Sequence, residues 1–235
     1  MTVDTAVLEV SVVVMAFNEA ASLGAVVEEI GSVLGPSGRR YEVVIVDDGS
    51  RDGTGPLADA LSRRHPQVRA VHHDTNRGLG EVYRTGFAEA RGECVTFLPA
   101  DGQFPAAIVE EFAALMDGAD LVLGQVAERP GPWMSKGLSA AEKALYRTLF
   151  GPLPRFQGVL MVRRRLLAAL DLQSTGRGWA VIMELILKAS RRGCRLRSVP
   201  TPVRPRMNGA SKVNNLRTVW ANLAQAFALR RLLSS

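Results

Sequence analysis

The chain has 235 residues, of which 47% are hydrophobic and 22% charged, and a formal net charge of +6. That allows one large domain or two small ones around a sizeable core, and no stretch approaches the eighteen apolar residues that would suggest a membrane span. Cys94 and Cys194 offer neither a disulfide framework nor a metal-ligand spacing, and Met1-Thr2-Val3-Asp4 lacks the basic start of a secretory leader, so a reducing cytoplasm is expected.

Taken in order, the chain alternates strands and helices. Leu8–Ala16 reads as a first strand, and Ala20–Leu34 as a helix with Leu23, Val26, Val27 and Ile30 at helical spacing before the break at Gly35-Pro36-Ser37-Gly38. Tyr41–Asp47 is a second strand, Gly53–Arg64 a helix, Val68–His72 a third strand, and Gly80–Arg91 a helix ended by Gly92. Cys94–Leu98 is a fourth strand. Pro105 suits a first helical turn and opens a helix to Met116, and Ala119–Gly124 is a fifth strand. The second half is less regular. Leu138–Leu149 reads as a helix, Gly158–Val162 as an edge strand, Trp179–Arg191 as a helix and Arg195–Val203 as an extended segment. Leu216–Leu233 is a last helix with Leu216, Val219, Trp220, Leu223 and Phe227 on one face. Such alternation with short connections predicts an α/β fold with a mostly parallel central sheet flanked by helices and right-handed crossovers.

Three apolar runs end abruptly in oxygen-bearing residues. Ser11 to Ala16 leads into Phe17-Asn18-Glu19, Val43 to Val46 into Asp47-Asp48-Gly49-Ser50, and Val95 to Leu98 into Pro99-Ala100-Asp101-Gly102-Gln103. Buried parallel strands read as continuous apolar runs, and open α/β sheets bind ligands beyond the carboxyl ends of their strands. The three ends together predict a site for a polar, phosphorylated and metal-bound ligand. An Asx turn capping the next helix is the alternative for Asp47-Asp48-Gly49-Ser50. His72-His73-Asp74 reads as a solvated turn.

Several nucleotide-binding classes are excluded. There is no GxxxxGK[ST] loop, and the first turn, Phe17-Asn18-Glu19-Ala20-Ala21, has no glycine for a dinucleotide fingerprint. It also lacks the glycine-rich, basic loop of a sugar nucleotidyltransferase. Charge adds a further clue. From Lys188 to the end there is no Asp or Glu but eleven Lys or Arg, which leaves the preceding residues at −5. That asymmetry points to an anionic partner, and without recognition motifs or interleaved aromatics it does not point to nucleic acid.

Four motifs in order resemble family 2 glycosyltransferases of the GT-A fold: Val12–Glu19, Val46–Thr54, Asn76-Arg77-Gly78-Leu79-Gly80 with Gly86, and Arg206-Met207-Asn208-Gly209-Ala210-Ser211-Lys212. The last is similar to the R-x-x-G-x-S-K signature of the dolichol- and polyprenyl-phosphate mannosyltransferase branch. The resemblance covers about residues 10 to 215. It implies a single GT-A domain over 1–235, with a nucleotide-sugar-binding half (8–125) and an acceptor-side half (126–235) ending in a basic helix.

The resemblance also implies roles. Ala16, Phe17 and Glu19 at the end of the first strand, with Asp47, would hold the nucleoside. Asn76, Arg77, Ala100 and Asp101 would complete the donor site, and Arg206 and Lys212 would contact phosphates. The family's D-x-D metal motif survives only as Pro99-Ala100-Asp101-Gly102-Gln103, so Asp101 and Gln103 are the candidate ligands for Mg²⁺ or Mn²⁺, and loss of metal dependence is the alternative. Asp101, Glu184, Arg206 and Lys212 are the candidate catalytic residues, with Glu184 the base if the acceptor is a hydroxyl or amine, or else a structural acid. The expected reaction is inverting transfer from a nucleotide-diphosphate sugar to an anionic acceptor, either polyprenyl phosphate or an intermediate on an acidic carrier protein. A soluble small molecule is a further alternative acceptor. Peripheral membrane contact is expected with a lipid acceptor. The alternative outside enzymes is a weakened sugar-nucleotide-binding protein, suggested by Pro99.

Overall fold

The computed structural model describes residues 8–126, 147–151, 154, 156, 158–175, 177–207 and 227–233. Among these, seven strands form one sheet: β1 (Val10–Ala16), β2 (Tyr41–Asp47), β3 (Val68–His72), β4 (Cys94–Pro99), β5 (Leu121–Val126), β6 (Leu160–Arg163) and β7 (Leu196–Thr201). Their order is β3-β2-β1-β4-β6-β5-β7. All pairings are parallel except those of β6, which runs antiparallel to both β4 and β5.

The helices are α1 (Ala20–Leu34), α2 (Thr54–Arg64), α3 (Leu79–Glu89), α4 (Ala107–Leu115), α5 (Arg164–Leu170) and α6 (Ala180–Arg191), with a 3₁₀ turn at Met116–Gly118. They divide between the two faces of the sheet. Val12 and Val14 of β1 and Val43 and Ile45 of β2 pack with Leu23 and Ile30 of α1, Leu61 of α2 and Phe112 of α4. Val13 of β1, Val44 and Val46 of β2 and Phe97 of β4 pack with Tyr83 of α3, Leu166 of α5 and Ile182 and Leu185 of α6. Burial on both faces is why these strands carry no polar alternation.

The register sets the site. Ala16 lies beside Asp47, Asp47 beside His72, and Met15 beside Pro99, so four strands end level on one edge. The ladder runs one step further on each side, since Asp48 N donates to Ala16 O, His73 N to Asp47 O and Ala100 N to Met15 O, each at 2.9 Å.

Two expectations change. The segment expected at an edge, Gly158–Val162, supplies β6 in the interior of the sheet. Four residues are too few to display a periodicity, and Leu160, Met161 and Val162 are fully buried. Helix α5 was not anticipated, because it is only seven residues long and opens on Arg164 and Arg165 directly after Arg163 ends β6. Most of the expected helix Leu138–Leu149, and the start of Leu216–Leu233, lie outside the described residues. Residues 147–150 and 227–232 are helical. Leu229 is buried, Arg230 donates to Leu149 O and Arg191 to Leu233 O at 3.1 Å, while Phe227 is exposed. No described helix is long and apolar enough to cross a membrane.

Candidate active site

The loops after β1 and β2 are stitched together by side chains. Asn18 N donates to Ser50 Oγ (2.8 Å), Glu19 N to Thr54 Oγ1 (2.9 Å) and Arg51 N to Asn18 Oδ1 (2.8 Å). Asp52 accepts from Ala20 N at 3.1 Å and from Thr54 Oγ1 at 2.5 Å; burial alone would raise its pKa, but these donors hold it below the usual value. Asn18 adopts φ 52°, a conformation that Asn tolerates better than most side chains. Ala16 ends β1 and Ala100 follows β4, both buried, while Phe17 and Glu19 are half-buried.

Adjacent aspartates have separate tasks. Asp47, 4% exposed, accepts from Ser50 N at 3.1 Å and meets His72 Nδ1 at 3.1 Å. Asp48, 3% exposed, faces the loop after β3, where its oxygens accept from Asn76 Nδ2 (2.9 Å), Arg77 N (2.8 Å) and Gly78 N (2.9 Å) and meet His73 Nδ1 (2.7 Å). The other nitrogen of His73 lies 2.8 Å from Thr85 Oγ1. The turn-capping alternative thus applies to Asp47, while Asp48 organises the Asn76-Arg77-Gly78 loop. His73 is buried in that network, contrary to the expected solvated turn. His72, by contrast, is exposed between Asp47 and Asp59 (3.1 Å each). The Arg77 guanidinium is exposed and 3.9 Å from Asp74.

The second half of the chain closes on both loops. Arg177 donates to Asn76 O at 2.9 Å and to Asn76 Oδ1, and its carbonyl accepts from Gly80 N at 3.3 Å. Gly78, at φ 91°, has no room for a side chain, because a Cβ would come within 2.7 Å of Arg177 Cβ. Gly102 adopts φ 71°, which side chains rarely take, and a Cβ there would also meet the Met207 sulfur at 2.6 Å unless that flexible side chain moved aside. Arg177 was not anticipated, because the loop it meets at Asn76 lies 101 residues away in sequence.

The centre of the site is the loop after β4. Asp101, 3% exposed, accepts from Gln103 N at 3.0 Å through Oδ1, and its Oδ2 lies 2.8 Å from Arg206 Nη2. Arg206 Nη1 is 3.8 Å from Glu19 Oε1, so one guanidinium stands between carboxylates brought from β1 and β4. Met207 N donates to Asp101 O (3.1 Å) and Arg204 N to Gln103 O (2.8 Å), which fixes the 204–207 segment across the loop. Gln103 Nε2 reaches the Arg204 carbonyl at 3.5 Å. No cluster of three or more His, Cys, Asp or Glu among the described residues could hold a metal alone. The residues present offer a hard divalent cation one carboxylate, that of Asp101, and one amide oxygen, that of Gln103, and would fit it with the remaining ligands supplied by a diphosphate and water.

Glu184 is not placed to act as a base. It is fully buried, accepts from Gln173 N (3.0 Å) and Ser174 N (2.6 Å), and meets Lys188 Nζ at 2.6 Å. Burial pushes its pKa up, but the two backbone donors and the ammonium outweigh burial and hold it below the usual range. The structural alternative stands, with a lysine as the partner. Lys212 lies outside the described residues.

A level row of strand ends with buried carboxylates and arginines brought in from the second half of the chain gives an α/β protein whose carboxyl sheet edge is the place where open α/β sheets bind their ligands. A family model described as "Glycosyl transferase family 2" matches residues 11–169, and the chain belongs to that family. It is 30% identical to the polyprenol monophosphomannose synthase of Mycolicibacterium smegmatis over 91% of this chain and 85% of that protein. It is 26% identical to the dolichol-phosphate mannosyltransferase of Pyrococcus furiosus over 95% of this chain and 64% of that protein. Among solved structures, the glucosyl-3-phosphoglycerate synthase of Mycobacterium tuberculosis with uridine diphosphate superposes with a TM-score of 0.71 at 22% identity, covering 94% of this chain and 80% of that one. The same enzyme with Mn²⁺, uridine diphosphate and its glucosylated product gives 0.67 at 24% identity, covering 96% and 79%. These superpositions identify the GT-A fold.

Proposed function

We propose that the chain transfers a sugar, with inversion, from a nucleotide-diphosphate sugar to a polyprenyl phosphate. The observation that carries this reading is the Arg206 guanidinium between Asp101 and Glu19, a charged centre at the strand ends where the donor diphosphate would lie. The names of the relatives, which act on dolichol or polyprenol phosphates, support the acceptor class.

Each residue then has a task. Asp47 offers a buried acceptor to the edge of the base, with Ala16, Phe17 and Glu19 around the nucleoside. Asp48 holds Asn76 and Arg77 where the loop can line the donor. Arg206, joined by Lys212, neutralises charge that builds on the departing nucleoside diphosphate. A divalent cation, Mg²⁺ or Mn²⁺, held by Asp101 and the diphosphate, would supply further charge neutralisation there. The acceptor phosphate is already an anionic nucleophile and needs no base, which agrees with Glu184 being committed to the 173–174 backbone. Peripheral contact with an anionic bilayer follows from the basic segment beyond Lys188, since each basic residue near such a surface is worth about 1 kcal/mol.

The test is transfer of labelled sugar from UDP-, GDP- and dTDP-sugars to polyprenyl phosphate, with Mn²⁺, followed by organic extraction. Lipid-linked product in the wild type and none in Asp101→Ala is the expected result. Product confined to water-soluble acceptors would move the acceptor to a small molecule or carrier protein. Donor binding without any transfer would indicate a sugar-nucleotide-binding protein.

A further inference from the structure

At the opposite edge of the sheet a cavity of about 340 Å³ is lined by Glu93, Arg163, Arg164, Arg165 and Ala168. Glu93 immediately precedes β4, Arg163 ends the antiparallel β6 and pairs with Cys94, and the next two arginines open α5. The cavity is therefore separated from Asp101 by the length of β4, six residues or about 20 Å at ~3.3 Å per residue.

The walls are fixed and positively charged. Arg163 Nε donates to Ala119 O at 3.2 Å and its Nη2 to the Met116 carbonyl, while Arg164 N donates to Glu93 O (2.8 Å) and Arg164 Nε to Gly92 O (3.1 Å). One carboxylate, Asp120, is shared by three guanidinium groups: Arg163 at 4.0 Å, Arg165 at 3.7 Å and Arg195 at 3.4 Å. Three lining arginines face a single lining acid, Glu93, so the cavity is net positive. Its volume is in the range of small-ligand pockets, and a guanidinium with five N–H donors can serve a phosphate oxygen as well as the carbonyls that hold Arg163 and Arg164. None of these residues contributes to the donor site.

We propose that this cavity is a second anion site that binds a phosphomonoester group, separate from the donor site and independent of the glycosyl-transfer reading. The group belongs either to a free phosphorylated small molecule or to a lipid headgroup. Titration calorimetry at low salt with glycerol 3-phosphate tests binding, and flotation with phosphatidylcholine vesicles containing phosphatidic acid tests the lipid source. Binding to either probe should weaken by about tenfold or more in Arg164→Ala/Arg165→Ala and persist in the donor-site variant Arg206→Ala. Because Arg164 also holds the Gly92 carbonyl, Arg165→Glu is the second variant. Its side chain is 76% exposed, so it should keep the wild-type melting temperature while losing the same binding. Arginine-dependent binding of glycerol 3-phosphate alone assigns the free source, and arginine-dependent flotation assigns the lipid source. Absence of both, binding unchanged in the arginine variants, or binding lost only in Arg206→Ala overturns the proposal.

Discussion

The loops after β2 and β4 look alike in sequence, a buried strand running into aspartate and glycine, yet their carboxylates are used differently. Asp48 meets four donor groups from a single neighbouring loop, all within the first half of the chain. Asp101 is held by the backbone N–H of Gln103 and by Arg206, which arrives from more than a hundred residues away. A carboxylate saturated by local backbone and amide donors builds a loop. One paired with a long side chain from a distant segment can exchange that partner for a ligand.

The largest effect should come from breaking the saturated loop. Asp48→Ala leaves the Arg77 and Gly78 N–H groups and the Asn76 amide without their acceptor and should cost about 3–5 kcal/mol in urea-induced unfolding. A loss below about 1 kcal/mol would remove the contrast between the two loops. Asp101→Ala should do the reverse, lowering kcat in the transfer assay by a hundredfold or more, on the order of a lost charge-stabilising contact, with a smaller change in stability than Asp48→Ala because fewer backbone donors lose their acceptor. Restoring a second carboxylate with Pro99→Asp should tighten Mn²⁺ binding measured by calorimetry without nucleotide.

Asp47 is intermediate, since its carboxylate caps a turn and in the proposed function would also meet the nucleobase. Asp47→Asn should lower donor affinity by about 1–3 kcal/mol in a calorimetric titration. Unchanged affinity would leave it with the turn alone. The smallest effect is that of His72. Burial lowers its pKa, but Asp47 and Asp59 raise it by more, so the net shift is upward. The protonated form is then favoured in the folded state, and its contribution is complete below the unfolded value of about 6.5 and disappears as pH rises through the raised folded value. Wild type should therefore lose slightly more stability than His72→Gln between about pH 6 and pH 8 in urea titrations at matched salt.

The first half of the chain was readable because parallel strands buried on both faces are written as apolar runs, as in β1, β2 and β4: these strands and the edge strand β3 lie, to within a residue or two, where Leu8–Ala16, Tyr41–Asp47, Val68–His72 and Cys94–Leu98 were expected. The sequence also placed Asp101 and Arg206 in one site, although nothing local joins residues so far apart; the ordered motifs did. The second half was harder to read. The position of β6 within the sheet is decided by pairing with β4 and β5, which four residues cannot encode. Glu184 occupies a helix position that fits a base as well as a structural acid, and only its contacts with the 173–174 backbone decide between them. His73 and Arg177 were missed because each acts through a partner distant in sequence, Asp48 and Asn76 respectively.

The account depends on Asp101 and Arg206 forming the diphosphate centre, and calorimetry of UDP-, GDP- and dTDP-sugars with and without Mn²⁺ measures that directly. One of these donors should bind once per chain, more tightly with Mn²⁺, and the Mn²⁺-dependent gain should disappear in Asp101→Ala. Binding of no donor, or the same Mn²⁺-dependent affinity in Asp101→Ala as in the wild type, would contradict it.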